Sequence, residues 1–172
     1  MVVTGLPWSI VSVGLSVTAF AVFLYLADRL FRRLIGDREA LAAVAIVAFA
    51  PVATVYQVGY AESLSMVFLT VVLLGLVERN WVLAGAFIPF AALTRPLGAP
   101  LALALLVLTV MRWKSGSDRK PHLWLTAIAA VSTAAWPAFA WFTTGRMTAY
   151  LETELAWRRP YLTDGKGHGW GT

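Results

Sequence analysis

Gly59-Tyr60-Ala61-Glu62-Ser63-Leu64 opens an apolar run that reaches Val77, and about thirty residues later Leu93-Thr94-Arg95-Pro96-Leu97-Gly98 interrupts another. The reading of these two stretches decides the fold. Each places an ionisable side chain in a turn between long apolar segments. An ionisable group at membrane depth costs at least ~2.5–3.5 kcal/mol on insertion scales, so such groups are usually paired, face a cavity and serve a function. A carboxylate and a guanidinium in these positions imply a polar site at one face of a membrane-embedded helix bundle.

The composition points the same way. Of 172 residues, 59% are hydrophobic and 13% charged, about half the charged share of roughly 25% in soluble domains. Mean hydropathy is +0.72. A soluble fold has no interior large enough for this much apolar surface, whereas a bilayer accepts it. The absence of cysteine excludes disulfides and thiolate metal sites. The net charge of +5 does not indicate a nucleic-acid partner, because the Arg and Lys residues border apolar segments, where they act as topology signals. Met1-Val2-Val3-Thr4 carries no basic stretch ahead of the first apolar run, so no cleavable signal peptide is read there. Trp8, Trp81, Trp113, Trp124 and Trp141 fall near the ends of apolar runs, as in interfacial aromatic belts.

A helix needs ~20 apolar residues to cross the hydrocarbon core. The pattern predicts an all-α polytopic bundle with spans near 6–26, 41–58, 62–77, 81–94, 97–111 and 123–142, followed by an extracytoplasmic interfacial helix and Gly-rich loop over 143–172. The second span is Ala-rich, which permits close helix contact, and Pro51 should kink it. Pro137 should kink the sixth. The fourth and fifth are short: fourteen or fifteen residues rise about 21–23 Å, less than the ~30 Å core. The Thr94-Arg95-Pro96 break is therefore expected below the membrane surface, where irregular backbone survives only if buried in protein or lining a wet cavity. After the sixth span, Met147, Leu151 and Leu155 recur at helical spacing with Tyr150 beside them, the pattern of an amphipathic interfacial helix.

With six spans, residues 27–39, 78–80 and 112–122 share one side and hold four, one and four Lys or Arg. The opposite side has none in the 59–62 turn, one in the 95–96 turn and four in the tail. The positive-inside rule puts the basic connectors in the cytoplasm and Glu62, Arg95 and the tail outside. If residues 81–111 formed one bent helix, five spans would result and the second basic connector and the tail would swap sides. Charge counting leaves both topologies open.

Glu62 and Arg95 are the sharpest candidates for chemistry. The carboxylate suits a sugar hydroxyl, a cation or a proton, and the planar guanidinium suits a phosphate through two parallel hydrogen bonds. Tyr56, Gln57 and Tyr60 add polar and ring-bearing groups of the kind found around sugars. A structural reading stands beside this one: the two charges pair and merely tie two helices together. His168 and Asp164 lie in a Gly-rich end and fall short of the roughly four ligands of a structural metal site. His122, beside a basic connector, reads as an interface residue. Glu152 and Glu154 lie on different sides of their helix and form no carboxylate pair. No nucleophile–base arrangement, metal-binding helix or phosphate loop is present.

Glu62-Ser63-Leu64 followed by Thr94-Arg95-Pro96, with Glu78-Arg79-Asn80 and Trp81-Val82-Leu83-Ala84-Gly85 between them, resembles bacterial relatives of the second mannosyltransferase of GPI-anchor assembly. Gly36-Asp37-Arg38, Phe49-Ala50-Pro51, and Gly145-Arg146-Met147-Thr148-Ala149-Tyr150 followed by Ala156-Trp157-Arg158 extend the resemblance over nearly all of the chain. These relatives are multi-pass GT-C glycosyltransferases. The resemblance implies a polyprenyl-phosphate sugar donor, mannose by analogy, used at the outer face of a bacterial plasma membrane. It implies substrate-binding roles for Tyr60, Glu62, Arg95, Arg146 and Arg158, with the lipid bilayer and an undefined acceptor as the other partners. It leaves divalent-metal dependence open.

GT-C enzymes carry their catalytic acid in the first extracytoplasmic loop. No acidic residue precedes Asp28 here, so the chain reads as an internal or truncated portion whose general base lies elsewhere. Two other readings compete: a transporter or flippase fragment, since broken helices also serve substrate pathways, and a non-catalytic membrane subunit that packs through its Ala- and Gly-rich helices.

Overall fold

The computed structural model describes residues 7–95, 97–113 and 119–162, with side chains described at all of these except 113, 119 and 157–162. Among them there are helices and turns and no strand. The helices are α1 (Trp8–Ile35), α2 (Asp37–Phe49), α3 (Glu62–Val77), α4 (Trp81–Thr94), α5 (Gly98–Trp113), α6 (Arg119–Thr133), α7 (Ala135–Thr144) and α8 (Ala149–Leu162), with a 3-10 turn at Pro51–Gln57. The chain divides into two units, Met1–Thr133 and Ala134–Thr172.

In the first unit, α1 packs on α3, α3 on α4, α4 on α6 and α5 on α6. Their shared core is Val72, Ala84, Ile88, Leu101, Leu105, Leu125 and Ala129. Small residues set the closest approach. A Cβ on Gly75 would lie 2.8 Å from the backbone nitrogen of Ala84, so only glycine lets α3 and α4 meet there. Away from this core the helices present apolar side chains outward: Phe49 is 88% and Val131 73% exposed. Such surfaces are stable against lipid tails and costly against water.

Several helices run differently from the sequence expectation. The expected first span ends at 26, but α1 continues to Ile35 and carries Asp28, Arg29, Arg32 and Arg33 as helical residues. Asp28 and Arg32 pair at 2.6 Å one turn apart, which favours helix through the charged segment. The helix stops at Gly36, whose φ of 97° suits glycine.

The expected second span is not one helix with a kink. It ends at Phe49; Ala50, placed before Pro51, is extended, as a residue preceding proline tends to be. The 3-10 turn then departs at 71°. The expected sixth span lies within Lys120–Thr144, with a single turn residue, Ala134, between α6 and α7. Pro137 has no N–H for the Thr133 carbonyl, which accounts for an irregularity at this level.

By length and composition, Trp8–Ile35 and Lys120–Thr144 can cross a membrane, and Asp37–Phe49 with Pro51–Gln57 makes a third if counted as one bent span. Helices α3, α4 and α5 are apolar but shorter. His122 departs from the interface reading: it is 3% exposed and meets Trp81 edge-on, with ring centroids 5.0 Å apart.

The turn between α3 and α4 is closed by Asn80 N–H to the Gly75 carbonyl at 2.8 Å and Arg79 N–H to the Leu76 carbonyl at 3.4 Å. This is a Schellman arrangement, whose left-handed position is usually glycine. Here Arg79 occupies it, with φ of 56°, at a cost of about 1–2 kcal/mol for an L residue. Asn80 then caps α4 by accepting from Leu83 N–H at 3.1 Å.

In the second unit, α7 ends at Gly145, whose N–H reaches the Trp141 carbonyl at 2.8 Å. Met147 lies in the turn ahead of α8 rather than on the helix with Leu151 and Leu155, because the Arg146–Ala149 turn intervenes. The Gly-rich stretch containing Asp164 and His168 lies outside the described residues.

Candidate functional site

Two backbone irregularities create the site. On one side, the 3-10 turn and the bends that follow deliver the chain into α3. Ser63 Oγ donates to the Tyr56 carbonyl at 2.7 Å, and Ser16 Oγ on α1 donates to the Tyr60 carbonyl at 3.2 Å. Tyr56 stacks on Phe20, with ring centroids 5.0 Å apart and planes within 9°. These contacts fix the turn and put Glu62 in the first turn of α3, where the helix dipole favours a carboxylate.

On the other side, Thr94 ends α4 with its hydroxyl donating to the Phe90 carbonyl at 2.9 Å. Arg95 is extended, with φ of −148° and ψ of 157°, as its place before Pro96 favours. This directs its guanidinium to Glu62: Arg95 Nη2 donates to Glu62 Oε1 in a salt bridge. The Arg95 side chain remains 47% exposed and that of Glu62 21%.

A cavity of about 260 Å³ lies between the first half of α1 and the turn leading into α3, with neither Glu62 nor Arg95 in its lining. Trp8, Val11, Leu15, Ala19 and Leu64 give it apolar walls; Ser12, Ser16 and Tyr60 add polar groups. Ala61, next to Glu62 in the chain, also lines it. Tyr60 is mostly exposed.

The structure thus brings Glu62 and Arg95 into contact, with Tyr60 on the same turn. Arg146 belongs to the second unit and is bound there by Glu152, at 2.6 Å. The side chain of Arg158 lies outside those described. Ser16 and Ser63 escaped the sequence reading. A serine in an apolar helix ordinarily bonds to its own helix's carbonyls, and only the position of Ser63 directly after Glu62 hinted otherwise. Among the described residues no three His, Asp or Glu side chains converge as a metal-binding group.

Residues 6–141 match the family model described as dolichyl-phosphate-mannose-protein mannosyltransferase. The chain belongs to that family. Tyr60, Glu62 and Arg95 fall within the matched residues; Arg146 and Arg158 fall after them. The sequence resemblance is supported at the level of a mannosyltransferase family, and together with the apolar helices this describes a glycosyltransferase-like membrane protein. Comparison with curated proteins and with solved structures returns no match.

Proposed function

We propose that this chain forms the donor-binding membrane core of a GT-C mannosyltransferase, which takes a polyprenyl-phosphate sugar at the outer face of a bacterial plasma membrane, like relatives of the second mannosyltransferase of GPI-anchor assembly. One observation carries the reading: Glu62, paired with a half-exposed Arg95, directly follows a turn that lines an apolar cavity, inside the region that matches the mannosyltransferase family. A polyprenyl-phosphate sugar has an apolar chain and an anionic head. The walls formed by Trp8, Leu15 and Leu64 suit the chain, and the Arg95 fork suits the phosphate. Glu62 holds Arg95 in place and can accept from a sugar hydroxyl, while Tyr60 offers a ring face. Arg146 and Arg158 are further binding groups in this reading. It uses six crossings, with α3, α4 and α5 as short spans and the basic connectors in the cytoplasm.

In the transfer, a bond forms from the acceptor oxygen to the anomeric carbon as the bond from that carbon to the lipid phosphate oxygen breaks. The acceptor proton passes to a general base. Charge develops on the departing phosphate, and Arg95 is placed to stabilise it.

The structural alternative gives the pair only a tethering role. Ion pairs between partly exposed side chains contribute about 0–1 kcal/mol, too little to explain why two charges are kept in an apolar setting. Arg95→Lys in the full-length protein separates the two. Transfer from polyprenyl-phosphate mannose should fall about 10- to 100-fold through loss of a charge-assisted hydrogen bond, with the melting temperature unchanged. Transfer near the parental rate, or a loss that tracks unfolding, rejects the binding role.

A further inference from the structure

Ser12, Ser16 and Phe20 recur at i, i+4 and i+8 on α1, so they form one stripe along the helix. Each meets the segment that leads into α3. A Cβ on Gly59 would lie 2.5 Å from Ser12 Oγ, so the turn approaches α1 as closely as a glycine allows. Ser16 Oγ donates to the Tyr60 carbonyl at 3.2 Å. Phe20 stacks on Tyr56.

The Ser16 bond differs from those of its neighbours. Hydroxyls in an apolar helix ordinarily bond to carbonyls of the same helix. Ser12 does so with Ser9 at 3.1 Å, and Thr18 with Gly14 at 2.8 Å. Ser16 instead reaches a carbonyl 44 residues along the chain, and it is 4% exposed. That carbonyl lies ahead of α3, whose first turn is closed by Ser65 N–H on the Ala61 carbonyl at 2.9 Å. A carbonyl without a donor in an apolar setting is costly. Ser16 therefore fixes where the Tyr60 backbone rests, while the Tyr60 ring stays mostly exposed. Two residues further on, Glu62 holds Arg95.

We propose that Ser16 is a positioning residue for the binding site at the start of α3: its hydroxyl fixes the turn, and the turn sets the Tyr60 ring and the Glu62 carboxylate against Arg95. The inference rests on the donor-site reading given above. Ser16 acts through the turn. A tie that is intact before and during transfer supports donor and transition state alike, so its loss raises KM and leaves kcat in place.

Kinetics of the full-length protein with polyprenyl-phosphate mannose test this. Ser16→Ala should raise the donor KM about fivefold, as expected for one hydrogen bond, with kcat near the parental value. Ser16→Thr restores the hydroxyl and should bring KM back, because Ser16 lines the cavity of about 260 Å³ and the added methyl has room there. Gly59→Ala keeps Ser16 but forces the turn away from α1, so it should raise KM as well. Thr18→Ala, whose hydroxyl serves its own helix, should leave both constants at the parental values. A parental KM in Ser16→Ala, where Arg95→Lys impairs transfer, overturns the positioning role and leaves the donor site standing. Parental kinetics in both Ser16→Ala and Arg95→Lys overturn the site and the positioning role together. A KM that Ser16→Thr does not recover, or a lower melting temperature with an unchanged KM, assigns Ser16 to packing alone and overturns the proposal.

Discussion

The two ends of α3 carry the same kinds of group and use them differently. At its start Glu62 meets one guanidinium, supplied by irregular backbone after α4. At its end Glu78 meets two, Arg29 at 2.8 Å and Arg33 at 3.8 Å, both from the regular helix α1. The helix dipole favours a carboxylate at a helix start and disfavours one at a helix end. Glu78 therefore depends on its partners for stability. Glu62 is favoured by its position at the helix start as well as by its pairing with Arg95. The surroundings agree: Glu62 follows a turn that lines an apolar cavity, whereas beside Glu78's partners Arg32 is already engaged by Asp28 and Asp37. One end follows a turn that lines an apolar cavity, and the other ties α3 to α1.

The sharpest way to break that contrast is Glu62→Gln. It keeps the shape of the side chain and removes its charge, so Arg95 loses its anchor. Transfer activity in the full-length protein should fall about 10- to 100-fold, the worth of a hydrogen bond between charged groups, with little change in thermal stability. A variant that melts much lower while each folded molecule turns over normally would make both ends of α3 structural, and the contrast would disappear.

Part of this was legible beforehand because apolar sequence forces charges to declare themselves. Glu62 and Arg95 had to find partners, and their mutual pairing was one of two readings; the structure makes the contact. Glu78-Arg79-Asn80 read as a turn because three polar residues between apolar runs leave few other options, and Asn80 indeed caps α4. What lay hidden depended on tertiary contact or on competing local effects. Asp28 and Arg29 looked like a connector, yet helical ion pairing carries α1 on to Gly36. Pro51 announced a disturbance but not its 71° size. The burial of His122 follows from Trp81, a neighbour distant in sequence, and the strain at Arg79 cannot be read from its identity.

A milder test is Gly75→Val, placed in α3 near the Glu78 end. A branched side chain would enter the space held by Ala84, and overpacking of this kind costs about 1–3 kcal/mol. Thermal unfolding in detergent should report that loss, while donor affinity in the molecules that stay folded remains at the parental level. Donor affinity that falls as steeply as stability would mean that the two ends are coupled through α3, and the division of labour between them would have to be given up.

The smallest effect belongs to Glu78→Gln. Arg29 and Arg33 are more than half exposed and Glu78 is 25% exposed, so the network lies in the range of about 0–1 kcal/mol typical of such pairs. Two contributions oppose each other: the variant loses its attraction to two guanidiniums but no longer places a carboxylate at the negative end of a helix. The first should win by a small margin at low ionic strength. Near 1 M salt, where the screening length drops to about 3 Å, the difference from the parent should vanish, and mannose transfer should be unaffected in either condition. Salt-dependent melting curves measure the margin directly. A loss that persists at high salt would place Glu78 in a role beyond charge pairing; a loss of transfer would extend the working site along the whole of α3.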